Sequence, residues 1–164
     1  MAVIGIAVFL GVLILVGEYM NTSSPNSASD SGSSSGPNAS SSLTSALATA
    51  IATAEGFFVG GSLPSQANNP GDLEIAGAGV GVGSNQGKTI FASADDGWNA
   101  LYNQIDLMLT GQSSIYSPDM TISQVAQLYT GGDNADAWAN NVASQLGVTP
   151  DTTLSELQAQ YGGE

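Results

Sequence analysis

The ionisable chemistry of this chain rests almost entirely on carboxylates. It has no His and no Cys, a single Lys or Arg, and fourteen Asp and Glu. Imidazole bases, Ser-His-Asp triads, thiolate nucleophiles, disulfides and the usual zinc sites are therefore excluded. Among the acids, Glu55 stands apart. It closes the alanine-rich run AIATAEGF, with Ala54 before it and Gly56, Phe57 and Phe58 after it. A carboxyl in apolar surroundings keeps its proton towards neutral pH, which is the property a general acid needs. Any partner carboxylate from the loop that follows has to be Asp72 or Glu74, the only acids there. Each of these residues also has an ordinary explanation: Asp72 and Glu74 as residues of turns, and Glu55 as a solvated residue at a helix end.

The elements that must position these side chains are mostly helical. SLTSALATAIATAEGF spaces Leu43, Leu47, Ile51, Ala54 and Phe58 as a first helix, and Gly56 marks the place where it weakens. Residues 62–87 lack a helical period and are rich in Gly, Pro and Asn turns, which implies a long loop or small β-hairpin lobe with KTIFAS as a strand. SADDGWNALYNQIDLMLTG reads as a second helix with Ser93 or Asp95 as cap and Gly111 at its end. Two more helices carry Ile122, Val125, Ala126 and Tyr129, then Ala135, Trp138, Val142 and Leu146. A short last helix follows, for which Thr149 is the expected cap with Pro150 at its first position. The same periodicity assigns Phe57, Phe58, Trp98, Leu101, Ile105, Val125, Leu128, Trp138, Val142 and Leu146 to one core.

Charge and composition divide the chain into three. The stretch MAVIGIAVFLGVLILVG, residues 1–17, is uninterruptedly apolar. At about 1.5 Å per residue it is just long enough to cross a bilayer core of about 30 Å. Residues 1–20 are accordingly read as a transmembrane anchor; a cleaved signal peptide is the competing reading, against which stands the lack of a basic leading segment. Residues 21–42 are Ser, Gly, Pro and Asn with almost nothing to bury, and are read as a flexible linker. Residues 43–164 form the folded domain. The formal net charge of -13 argues against a nucleic-acid partner and against electrostatic attraction to anionic polymers or headgroups. The acidic stretch GGDNAD lacks the glycine and distal Glu of a calcium loop, so no metal and no other cofactor is expected.

AIATAEGF, then NNPGDL, then IFASADDGWNAL, and finally TISQVAQLYTGGDNADAWANNVASQLGV together resemble the lysozyme-like domains of phage virion proteins and bacterial muramidases, within the superfamily of goose-type lysozymes and lytic transglycosylases. The resemblance spans Leu43 to about Gln160. It implies an α+β, mainly helical lysozyme-like fold in which Glu55, at the end of the first core helix, is the catalytic acid. It also implies that Asn69 and Tyr129 hydrogen-bond substrate in a cleft. With Asn68, Asp72 and Asn134 these make up the candidate substrate-binding residues. Two departures are that Asp72 stands where the family more often has Asn, and that basic residues common in such domains are missing.

The function expected on this basis is cleavage of peptidoglycan glycan strands by a membrane-tethered muramidase or lytic transglycosylase. Residues 1–17 would sit in the lipid bilayer and the C-terminal domain would be extracytoplasmic, or the protein would belong to a virion membrane. Such domains commonly work with one Glu and the N-acetyl group of the substrate, which leaves hydrolysis and transglycosylation both open. Two alternatives belong to other classes: a non-catalytic lysozyme-fold module that binds glycan or joins virion or envelope proteins, and a pilin-like surface subunit. The helical reading of the domain weighs against the last.

Overall fold

The computed structural model describes residues 39–75 and 81–162. Along them lie α1 (Ala39–Ala54), α2 (Leu63–Gln66), β1 (Gly81–Asn85), β2 (Lys88–Phe91), α3 (Ala94–Thr110), α4 (Ile122–Tyr129), α5 (Ala135–Leu146) and α6 (Leu154–Gly162). The described residues are thus mainly α-helical with one small antiparallel hairpin. No helix among the described residues is long and apolar enough to cross a membrane. The segment read as an anchor, and most of the linker, lie outside the described residues. α1 begins at Ala39, inside the segment read as linker.

α1 is the hub of the fold. Leu43, Leu47, Ala48, Ala50, Ile51 and Ala52 are all buried, and an apolar surface that wide suits a helix enclosed on several sides. It packs against α3, α5 and α6, while α4 rests on α5. The exposed Thr49 and Thr53 donate their hydroxyls back to the carbonyls of Ser45 and Thr49.

Local signals set the helix ends. Ser93 caps α3 by accepting from the Asp96 N–H, with Asp95 and Asp96 in the first turn where negative charge is favoured, and Gly111 closes it at φ 69°. Thr121 and Gln124 form a reciprocal capping box at the start of α4. The last helix starts later than the Thr149-Pro150 pattern implies. Thr149 instead opens a turn in which the Thr152 N–H donates to its carbonyl. Thr153 accepts from the Glu156 N–H while Glu156 Oε2 accepts from the Thr153 N–H at 2.8 Å. A two-way cap outcompetes a single hydroxyl followed by Pro.

The hairpin turns at Gln86 and Gly87, both with positive φ (50° and 83°). Beyond β2 the sheet is continued by the loop that holds Asn68 and Asn69 rather than by a third strand. The N–H groups of Thr89 and Phe91 donate to the carbonyls of Leu73 and Ala67 at 2.8 and 2.9 Å. Asn69, fully buried, donates its amide to the carbonyls of Leu73 and Thr89 and accepts from the Leu73 N–H. That loop also lies against α3. A Cβ on Gly97 would stand 1.8 Å from the Asn68 carbonyl oxygen, so only glycine admits the contact.

The expected core is partly revised. Leu101, Ile105, Val125, Trp138, Val142 and Leu146 are buried, but Phe58 and Leu128 are 60% and 47% exposed, and Phe57 and Trp98 are half-buried. Phe58 misses the core because the helix ends at Ala54 and Gly56 turns the chain at φ 73°, so helical phase no longer governs the residues beyond. Leu128 lies off the face of α4 defined by Ile122, Val125, Ala126 and Tyr129. Phe57, Phe58, Trp98 and Tyr102 instead pack ring on ring at the surface, with centroids 5.5 to 6.3 Å apart.

Candidate active site

Glu55 directly follows Ala54, the last residue of α1. The Gly56 N–H donates to the Thr53 carbonyl and the Phe57 N–H to the Ala52 carbonyl, with Gly56 left-handed between them. This paired closure is the Schellman motif, and it makes Glu55 the C-cap. A carboxylate there faces the negative end of the helix dipole, so the position disfavours the ionised form.

The side chain of Glu55 is half-buried and points to α5. Trp138 Nε1 donates to Glu55 Oε1 at 2.7 Å. A buried indole N–H needs an acceptor, and here the acceptor is the candidate acid. The Trp138 ring in turn lies 5.1 Å from that of Tyr129, tilted by 31°. Tyr129, at the end of α4, donates its hydroxyl to the Gly71 carbonyl at 2.6 Å. Gly71 is tightly held: a Cβ there would stand 2.9 Å from both the Tyr129 hydroxyl and Leu101 Cδ1. One unbroken series of contacts thus joins Glu55, Trp138, Tyr129 and Gly71, and brings the end of α1 to the loop whose next residue is Asp72.

Asp72 has a left-handed backbone, φ 47°. Lys88, on β2, places its ammonium 3.5 Å from Asp72 Oδ2 and 3.3 Å from Glu74 Oε1. The other oxygen of Asp72, Oδ1, is buried and has no hydrogen-bond partner among the described residues. Lys88 is the only Lys or Arg in the chain.

These neighbours set the proton affinity of Glu55. Burial pushes its carboxyl above the ordinary range; the Trp138 hydrogen bond works against this, the negative charge of Asp72 adds to it, and Lys88 opposes it. Tyr129 is held well above an ordinary phenol by burial of its hydroxyl end, then by Glu55, Tyr116 and Asp72; other parts of the residue keep some surface. Tyr116 is pushed up to about 12 by burial and then by Glu74. Both phenols remain neutral where a glutamic acid titrates.

No family model matches the chain, and neither does any curated protein or solved structure. Identification of the site therefore rests on its geometry and on the motifs in the sequence.

The candidate residues divide into three groups. Glu55, Asp72 and Tyr129 are brought together. Asn69 and Asn68 are committed to the fold, Asn69 through its buried amide and Asn68 by donating to the Phe91 carbonyl at 3.2 Å. Asn134 is exposed, left-handed at φ 56°, and makes no side-chain cap; its carbonyl accepts from the Trp138 N–H, so it serves the site only by starting α5. Three residues of the site were not legible as such. Trp138 reads as a core aromatic and is one, but its N–H is spoken for by Glu55. Lys88 reads as a strand residue, and its isolation as the chain's sole cation was the available signal. Tyr116, in the loop before α4, carried none.

Proposed function

We propose that the domain cleaves the glycosidic bonds of peptidoglycan with Glu55 as the general acid. The observation that carries this reading is the environment of Glu55: half-buried, at a helix C-terminus, beside the charge of Asp72, and holding its proton above the ordinary carboxylate range. Leaving-group protonation needs a carboxyl that is still protonated at working pH and is fixed in direction. Trp138 supplies the direction, because its N–H can donate to one oxygen of the carboxyl whether or not the other carries a proton. The lysozyme-like motifs of the sequence supply the substrate class, and residues 1–17 the tether that would place the domain at the cell envelope or in a virion membrane.

A second reading has its own support. Asn69 and the Tyr129 hydroxyl are used inside the protein, which suits a lysozyme-fold module that binds glycan or a partner protein without cutting. The two readings separate with the full chain in detergent on purified peptidoglycan. Wild type is expected to release soluble muropeptides, and Glu55→Gln to lose that release by about a hundredfold or more, the range of a positioned acid. Equal, negligible release by both, with sedimenting glycan still bound, would replace the enzyme with the module.

A further inference from the structure

If Glu55 donates the proton to the leaving oxygen, something must deal with the anomeric carbon. In a two-carboxylate mechanism that is a second Asp or Glu; in a substrate-assisted one it is the N-acetyl oxygen of the sugar itself. Asp72 is the acid whose charge bears on Glu55, and among the described residues the fold gives its side chain one partner, the Lys88 ammonium of β2. Its Oδ1 accepts nothing from the described residues. Its Oδ2 has only the Lys88 ammonium at 3.5 Å, beyond the usual range of an N–H···O bond and shared with Glu74. Asn69, three positions earlier, shows what a structural side chain looks like in this loop, with both its oxygen and its nitrogen bonded.

The backbone does not explain the charge either. A left-handed φ of 47° is tolerated by Asn as well as by Asp. The turn is closed by the Asp72 N–H donating to the Asn69 carbonyl at 3.0 Å, a bond that does not involve the side chain. A carboxylate with a donorless buried oxygen is unfavourable by about 1–3 kcal/mol relative to a satisfied one. Yet the fold keeps it, and sets the chain's one basic side chain beside it.

We propose that Asp72 is the second catalytic carboxylate, that through Oδ2 it takes the proton of the water attacking the anomeric carbon, and that the product is a reducing sugar and not a 1,6-anhydro sugar. This rests on the reading of Glu55 as the acid. The Glu55 proton passes to the glycosidic oxygen as the bond from that oxygen to the anomeric carbon breaks. The water oxygen bonds to the carbon, and the water's proton goes to Asp72. The enzyme is left with Glu55 ionised and Asp72 protonated, and one exchange with solvent restores both. The side chain of Asp72 is 18% exposed while Oδ1 is enclosed, which leaves Oδ2 as the oxygen open to water. Lys88 is the positioning residue that fixes Oδ2 from the side of β2. The Gly71 carbonyl, held by Tyr129, fixes the backbone beside it. The negative charge that Asp72 presents to Glu55 also adds to the effect of burial in raising the proton affinity of the acid.

The test is product analysis by mass spectrometry with the full chain on purified peptidoglycan, for wild type, Glu55→Gln, Asp72→Asn, Asp72→Ala and Lys88→Met. Wild type is expected to give reducing ends. Asp72→Asn is expected to melt with wild type, since Asn suits the turn, and to lose turnover by about a hundredfold. Azide, a nucleophile that needs no base, should restore turnover to Asp72→Asn and to Asp72→Ala and leave a glycosyl azide, which a purely structural role would not produce. Lys88→Met should fall between Asp72→Asn and wild type. Anhydro ends from wild type, or an Asp72→Asn rate within about twofold of wild type, would overturn the role of Asp72 while leaving Glu55 as the acid. No cleavage by wild type, or equal cleavage by Glu55→Gln, would overturn the reading of Glu55 and this one with it.

Discussion

Trp138 Nε1 donates to Glu55 Oε1 across 2.7 Å, a bond between residues 83 positions apart. It does two things. It gives the buried indole its acceptor, and it sets the direction of the one carboxyl at the end of α1. Since the bond favours the ionised acid, the raised proton affinity of Glu55 is what burial and Asp72 leave after Trp138 has opposed them.

Trp138→Phe isolates that bond, because Phe keeps a ring against Tyr129 and removes only the donor and the outer ring. The proton affinity of Glu55 is expected to rise further, seen as an upward shift of its carboxyl carbon titration by NMR. Stability is expected to fall by about 1–3 kcal/mol in denaturant unfolding, the range for losing a hydrogen bond to an ionisable group. An unmoved Glu55 titration would mean that the bond does not persist in solution.

Gly97→Ala probes the contact between α3 and the Asn68–Leu73 loop. The added Cβ would sit 1.8 Å from the Asn68 carbonyl oxygen and 2.8 Å from Pro70 Cδ, and backbone cannot step aside as a side chain can. A loss of about 3 kcal/mol or more is expected. Gly60→Ala, where nothing lies within 4 Å of the new carbon and φ is not positive, should stay within about 0.5 kcal/mol of wild type. Equal melting of the two variants would mean that the loop does not pack as described.

That contrast shows which parts of the fold the sequence could and could not disclose. The helices were legible because Leu101, Ile105, Val125, Val142 and Leu146 repeat at helical spacing, and the end of α1 because Gly56 follows Glu55. The GW and NNPG pieces were legible as motifs, but not the reason they occur together, which is the approach of Gly97 to the Asn68 carbonyl. Periodicity failed where the helix had already stopped, at Phe58, and on a helix as short as α4, at Leu128. The site was half legible. Glu55 and Asp72 are marked by being acids in apolar or turn-rich sequence. Trp138 and Lys88 act through contacts that join distant stretches, and spacing along the chain carries no trace of those.

Asn69→Ala tests whether the asparagine of the loop is a structural residue. Its side chain bonds the Leu73 N–H and the carbonyls of Leu73 and Thr89 inside the protein. Truncation strands buried groups on both the loop and β2, and a loss of about 3 kcal/mol is expected. Asn69→Asp should be worse at neutral than at acid pH, since a carboxylate would face two carbonyl oxygens. A variant as stable as wild type but weaker in glycan binding would instead return Asn69 to the substrate.

Glu55→Gln should reveal the state of the acid without any substrate. In the folded protein the Glu55 carboxyl is raised above its ordinary value of 4.5. Between that value and the raised one, the folded protein keeps a proton that the unfolded chain releases. Stability contributed by Glu55 therefore falls as pH rises through this window and is constant above it. Gln holds no proton, keeps an oxygen for Trp138 Nε1–H, and escapes the loss. The melting temperatures of variant and wild type are expected to coincide near about pH 4 and to separate by about pH 8 with the variant the more stable. A few degrees is the scale, since about 1 kcal/mol moves the midpoint of a domain this size by roughly 4 °C. Tyr129 and Tyr116 stay neutral across the window and add nothing to the difference. Glu156, held below the ordinary range by the backbone and hydroxyl of Thr153, loses stability on acidification, but does so in both proteins and cancels. A difference that is flat with pH, or one that favours wild type at about pH 8, would mean that folding does not raise the proton affinity of Glu55, and the general-acid reading would lose its physical basis.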